Sequence, residues 1–523
     1  MAHARTIPVA ILTLASAAIS ACGGSENPPT TPAPGDSGDD GSGGDGGDAR
    51  ACDPAMPPVC DGASSVKRCR IDGSTFDTTP CDGGAACKSG VCGCVPKSVM
   101  CEGTTVKKCD ATTGEYAVDF ACPKGTQCIK GHCDDLRCPD ETEPVKEFAL
   151  ASNSWPRYRH DNRNSGWTRA LVADAPKLKW KVFVGGTDYD KQKGLGSGAV
   201  VNQDNRVFIG AGELDGKGGQ FYAFDPLGKP VYSFAANRLT GLSTPAVRND
   251  GTAYVASGDA TFFAVTPTGT EAWKYKPGSA SDGDPIVTRE GTLIYPSDDK
   301  SLYALDPTGK LLWKSDAATG PGEADAALAQ SCDGRILAGG SNGWASLDVK
   351  TGKAQWLVDA TGLYKCVSSS PVVGADGMMY GVDSGGVGYA IDAAGKVKWS
   401  KALGPKGAST PAHVGDMLYV VMNDGKLHAV DDASGTEKWS QPVGYALTRD
   451  VGRISGPVVD GNMRLYVNST DGNVYAFDLT GKQLWKLPAS GASAAQLFSG
   501  TIAIGFDGTV YVPGNDGFLY AYQ

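Results

Sequence analysis

Tyr303-Ala-Leu-Asp306-Pro-Thr-Gly309-Lys-Leu-Leu-Trp313 is the clearest copy of a unit that recurs between residues 175 and 523. Equivalent copies run from Tyr222 to Tyr232, Phe263 to Trp273, Ala345 to Trp356, Tyr389 to Trp399, His428 to Trp439 and Tyr475 to Trp485. Successive starts lie 41, 40, 42, 44, 39 and 47 residues apart, the period of a four-stranded propeller blade rather than of a helical or leucine-rich repeat. One more copy comes in two pieces: Leu178-Lys-Trp180 carries the Trp end, and Phe518-Leu-Tyr520-Ala-Tyr522 carries the start. Joined, the pieces pair two strand edges that a ring would otherwise leave open. The expected fold is all-β: an eight-bladed β-propeller over 175–523, closed by its N- and C-terminal strands, with a small disulfide-rich module before it.

Within each period the residues read as short antiparallel strands. Thr244-Pro-Ala-Val247, Ser370-Pro-Val-Val373 and Thr410-Pro-Ala412 suit inner strands that begin beside a central channel. Asp-Gly dipeptides such as Asp250-Gly251, Asp376-Gly377 and Asp507-Gly508 mark tight turns, because they tolerate positive φ. Second strands follow at Ala253-Tyr-Val255 and Leu465-Tyr-Val467, then the Tyr-Ala-x-Asp strand, a Gly-Lys turn and an outer strand carrying Trp.

The Ala-x-Asp-x-x-Gly-x-x-x-Trp unit resembles that of the quinoprotein-type (PQQ-like) propellers, in which the Trp of one blade docks against the next. The resemblance implies structural docking roles for Trp180, Tyr232, Trp273, Trp313, Trp356, Trp399, Trp439 and Trp485, with Thr266 and Ala345 marking weaker blades. Trp155-Pro-Arg-Tyr-Arg-His160-Asp161-Asn-Arg-Asn-Ser-Gly166-Trp167 resembles the lead-in segment of such propellers.

Two groups share the blade unit. In the quinone dehydrogenases, a vicinal cysteine pair stacks on pyrroloquinoline quinone, and channel carboxylates with an asparagine hold calcium. This sequence has no Cys-Cys dipeptide; its propeller cysteines, Cys332 and Cys366, are 34 residues apart. The blade positions put them near opposite faces, which makes a mutual disulfide difficult. His413 and His428 read as core residues, and no Gly-x-Ser-x-Gly or His-Glu-x-x-His motif is present. Catalytic, metal and cofactor residues are therefore expected to be none, with quinone and calcium disfavoured. The other group is non-enzymatic: envelope lipoproteins similar to the scaffold of outer-membrane barrel assembly. That resemblance implies binding of an envelope protein or surface polymer by a monomeric propeller; an atypical quinone oxidoreductase or a glycan adhesin is the alternative. Tyr189 in one long loop, and Tyr445, Arg449 and Arg453 in another, are the expected partner-binding residues, since Tyr and Arg most often anchor interfaces.

The N-terminal part sets the compartment. Arg5 precedes an apolar run, Ile7 to Ala21, that is too short to span a bilayer and has the layout of a secretion signal over 1–21. Ile19-Ser20-Ala21-Cys22 resembles the lipobox of bacterial lipoproteins, which implies acylation of Cys22 and anchoring at the outer membrane. Residues 22–50 read as a solvated acidic tether, with five Asp and Glu26 against Arg50. A net charge of −10 with no basic stripe excludes a nucleic-acid partner.

Thirteen of the sixteen cysteines fall between Cys52 and Cys138, which points to an oxidising compartment. Residues 51–138 read as two six-cysteine copies: Cys52, Cys60, Cys69, Cys81, Cys87 and Cys92, then Cys94, Cys101, Cys109, Cys122, Cys128 and Cys133. Each set allows ~15 pairings, and the sequence chooses none; Cys138 is left over. Residues 139–174 read as linker and lead-in.

Overall fold

In the computed structural model of the protein, the described residues are most of 155–523 and shorter runs between 58 and 135; among the longest stretches outside them are 1–57, 136–154, 186–196, 360–368, 445–455 and 489–499. Cys22, Cys52, Tyr189, Cys366, Tyr445, Arg449 and Arg453 lie outside the described residues. Among the described residues every regular element is a strand, and residues 178–522 form eight four-stranded antiparallel sheets.

Seven of these sheets are consecutive in sequence, and the eighth joins Leu178–Phe183 to Phe518–Tyr522, with Val510–Pro513 and Ala503–Ile504 completing it. Each sheet begins with a short, fully buried strand: Val200–Val201, Ala246–Val247, Ile286–Val287, Ala329–Gln330, Val372–Val373, Ala412–Val414, Val458–Val459 and Ala503–Ile504. The fourth strand instead alternates exposed and half-buried positions, as in Glu271–Tyr275 and Gln483–Pro488. Burial on both faces at one end of the sheet and on one face at the other explains the continuous Val/Ile/Ala runs inside and the mixed residues outside.

The packing accounts for each letter of the repeat. The small residue of Tyr-Ala-x-Asp stands directly across from the aromatic: Ala304 pairs with Trp313, Ala264 with Trp273, Ala390 with Trp399, Ala429 with Trp439, Ala476 with Trp485 and Ala521 with Trp180. A bulky residue there would collide with the indole on the same face. One residue further on the register shifts, a bulge of the kind that re-aims a side chain. Asp306 then organises the turn, its Oδ1 accepting the N–H groups of Thr308 (2.9 Å) and Lys310 (3.0 Å). Gly309 follows with φ +86°, and a Cβ on it would lie 2.6 Å from Trp273 of the preceding sheet.

That indole completes the contact by donating from Nε1 to Pro307 O at 2.9 Å. The same bond joins Trp180 to Pro226, Trp313 to Val349, Trp356 to Ala393, Trp399 to Asp432 and Trp439 to Leu479. Two positions differ. Tyr232 packs where a Cβ on Gly269 would fall 2.5 Å from its ring, but its buried hydroxyl has no partner. Trp485 faces the sheet whose last two strands come from opposite ends of the chain. No turn joins them, no turn carbonyl is offered, and its buried Nε1 has no acceptor; Tyr522 instead donates from its hydroxyl to Pro488 O at 2.7 Å. Thr266, in place of Asp, still accepts one turn amide, from Thr270 at 3.1 Å.

The cysteine-rich residues form small sheets. In the first copy Val59–Cys60 pairs with Ser65–Cys69, and Cys87–Lys88 with Val91–Cys92; Cys69–Asp77 falls in a separate small unit, where Arg70 Nε donates to Asp77 Oδ1 at 2.7 Å. In the second, Val99–Glu102, Thr105–Cys109 and Tyr116–Ala121 form a three-stranded sheet, and Thr126–Ile129 pairs with His132–Asp135. Cys60–Cys87 and Cys101–Cys128 are equivalent bonds, each spanning 27 residues, and Cys94 bonds Cys109. Cys69, Cys81 and Cys122 are disulfide-bonded as well. Cys332 is also disulfide-bonded, so the expected separation from Cys366 does not leave it a free thiol. Val106 of the second copy is 1% exposed and shares an apolar cluster with Trp167, Met463 and Phe477. The second copy therefore packs on the large body rather than standing clear of it.

Replacing Trp313 with Ala should cost about 3–5 kcal/mol in denaturant unfolding. Trp399→Phe should cost about 1 kcal/mol more than Trp485→Phe, because only the former loses a hydrogen bond. Equal losses would show that the turn carbonyl contributes nothing to docking.

Candidate functional site

The residues that stand out lie in Trp155–Trp167. This segment crosses the sheets' first strands one after another. Val201 N–H donates to Trp155 O (2.7 Å), Val247 to Pro156 O (2.8 Å), Gln330 to Asn162 O (2.6 Å), Val373 to Arg163 O (2.9 Å), His413 to Ser165 O (3.0 Å) and Val459 to Gly166 O (2.8 Å). Asn162 Nδ2 donates to Val287 O at 2.9 Å. The donors are the second residues of successive first strands, so one short segment reaches seven of the eight. Positive φ at Arg159, His160 and Asn164 lets it coil tightly enough to do so.

Its side chains fill the space between those strands. Arg157 and Arg159 are fully buried. Arg157 Nη1 donates to Asp161 O (2.5 Å) and Asn164 Oδ1 (2.7 Å), and its Nη2 to Leu328 O (2.9 Å). Asn164 Nδ2 donates to Pro371 O at 2.8 Å, Arg159 Nη2 to Pro411 O at 2.8 Å and the Tyr158 hydroxyl to Thr410 Oγ1 at 2.9 Å. Burial pulls each of the two guanidinium groups down to about 10, partly offset for Arg157 by Asp284 and Asp161 and for Arg159 by Tyr158 and Asp161. Both stay charged at neutral pH.

Above the segment runs a ring of strand-start residues. Gly198 N–H donates to Thr244 Oγ1 (3.1 Å), Thr244 N–H to Asp284 Oδ1, Ala327 N–H to Ser370 Oγ (2.9 Å) and Ser370 N–H to Thr410 Oγ1 (2.9 Å). The Ser/Thr-Pro signature of the sequence thus links adjacent first strands.

A family model described as "Outer membrane protein assembly factor BamB" matches residues 219–362, 341–447 and 383–523. The chain belongs to the BamB family. A BamB protein of Burkholderia pseudomallei (strain K96243) is 32% identical over 95 residues, 18% of this chain and 23% of that protein, so the alignment spans under a quarter of the relative. In fold the chain is similar to the crystal structure of BamB from Moraxella catarrhalis, with TM-score 0.50, 17% identity, and 67% of this chain and 98% of the other covered. It is also similar to quinohemoprotein alcohol dehydrogenase from Comamonas testosteroni, with TM-score 0.56, 14% identity, and coverage of 72% and 81%.

The described residues of this BamB-family chain do not fit a calcium-bound quinone. The stacking Cys-Cys dipeptide is missing from the sequence, Cys332 is committed to a disulfide, and the axis presents guanidinium groups that repel a cation. His413 and His428 are buried and held by carboxylates of their own sheet, His413 Nε2 3.0 Å from Asp432 Oδ2 and His428 Nδ1 2.5 Å from Glu437 Oε2. Neither meets the axial segment. Sequence reasoning treated that segment only as a lead-in; its three arginines between two tryptophans were the available signal.

Asp161 gives a pH test. Burial pushes its carboxyl up, but His160, the Arg163 guanidinium and the Ser165 hydroxyl at 2.6 Å more than reverse this and hold it well below the usual range. A depressed carboxyl contributes stability that is fully present above its unfolded pKa of about 3.9 and lost as pH falls further toward the folded value. Asp161→Asn should therefore lower stability at pH 7 and flatten the loss between pH ~4 and ~2 in urea titrations. An unchanged acid limb would exclude Asp161 as its source.

Proposed function

We propose that this chain is a non-enzymatic cell-envelope lipoprotein whose eight sheets are the blades of one closed propeller that serves as a protein-binding scaffold. In this reading Cys22 carries the lipid anchor at the outer membrane, the acidic tether gives reach, and an envelope protein is the partner. The observation that carries it is the family match across 219–523 in a chain whose axis is filled by its own Arg157, Arg159 and Asn164. A fold organised this way offers a rigid platform, and scaffolding needs rigidity and loops rather than a reaction centre. Closure of the ring is supported by pairing of Leu178–Phe183 with Phe518–Tyr522 and by the bond from Trp180 to Pro226 of the next sheet.

Tyr189, Tyr445, Arg449 and Arg453 are the proposed partner contacts. Crosslinking in cells with a photoreactive group at 445 or 449 should capture one envelope protein reproducibly, and Arg449→Ala with Arg453→Ala should reduce capture severalfold. Capture no greater than that of an unanchored Cys22→Ser control would overturn the scaffold reading.

A further inference from the structure

The axis carries a charge that the protein does not balance. Three buried guanidinium groups, Arg157, Arg159 and Arg163, share the segment and the strand-start ring with two carboxylates, Asp161 and Asp284. Arg157 Nε, Arg159 Nε and Arg159 Nη1 are buried without a hydrogen-bond partner. The nearby hydroxyls are already engaged: Thr244 Oγ1 accepts from Gly198 N–H, and Thr410 Oγ1 from Ser370 N–H and the Tyr158 hydroxyl. Water could satisfy the N–H groups, but it would leave the surplus charge, and a buried charge without a counter-charge is strongly unfavourable.

The backbone around Arg159 is cut back to admit its head group. A Cβ at Gly456 would lie 2.7 Å from Arg159 Nη1, and one at Gly166 2.2 Å from Nη2. Arg159 is thereby held between the sixth and seventh first strands, while Arg157 reaches Leu328 beside the fourth. We propose that the axis of the sheets binds a small oxyanion, a carboxylate or phosphate, on the unpaired N–H groups of Arg159 and Arg157. Guanidinium donors suit such anions because the hydrogen bonds are charge-assisted. The site is independent of the scaffold reading: it rests on the axial segment, not on the outer loops.

Calorimetric titration of the full chain with sodium phosphate and with sodium acetate, in a low-chloride buffer, tests it. Saturable binding of at least one is expected. Arg159→Gln should weaken it by about tenfold or more. Asp284→Asn should tighten it roughly threefold or more by removing a competing negative charge, while its amide oxygen still accepts the Thr244 N–H. Absence of saturable binding to the wild-type chain overturns the proposal, as does an affinity unchanged in a folded Arg159→Gln chain. If Arg159→Gln does not fold, Asp284→Asn decides, and an affinity unchanged or weakened by it also overturns the proposal.

Discussion

A first strand in each sheet has one edge paired with its neighbour and the other facing the axis, and the axis-facing amides must find acceptors or water. Here the backbone carbonyls of Trp155–Gly166 take six of them, one sheet after another. The sheets are otherwise joined mainly at their rims, by an aromatic ring against a turn glycine and, in six places, an indole N–H to a turn carbonyl. Rim contacts link neighbours only, whereas the axial segment links sheets far apart in the sequence. The burial of Arg157 and Arg159, the glycines at 166 and 456 and the charge surplus at the axis all follow from placing this polar segment where no second strand is available.

Much of the fold was legible because the repeat is local. Ala304 opposite Trp313, Asp306 folding its own turn and Gly309 under Trp273 all recur with a spacing that the eye can follow. The split copy was legible for the same reason, since Leu178–Phe183 and Phe518–Tyr522 each carry half of the pattern. The axial segment occurs once and has no copy to align with. Its partners lie up to 293 residues away, as with Val459 N–H and Gly166 O, and nothing in Trp155–Trp167 announces which amides it meets. Ser/Thr-Pro at strand starts pointed to the channel, but not to the hydrogen bonds that connect Thr244, Asp284, Ser370 and Thr410 to neighbouring strands.

The cysteine repeats show the complementary limit. Two copies were visible from spacing, while pairing was not, because spacing constrains loop length rather than which sulfurs meet. The equivalent bonds Cys60–Cys87 and Cys101–Cys128 tie the main sheet of each copy to its following hairpin. Val106 could not be recognised as a contact residue, since one valine in a strand of lysines and threonine carries no signal of what will cover it. Packing of the second copy onto the large body replaces the picture of a free stalk at that point.

The most direct test is residue-resolved hydrogen–deuterium exchange of the full chain at Val201, Val247, Gln330, Val373, His413 and Val459. With the segment in place these amides should exchange as slowly as the paired amides of the second strands, such as Ile294 and Tyr466. Rapid exchange at these six positions, with the second strands still protected, would mean that the axis is open to water and that Trp155–Trp167 does not organise the molecule.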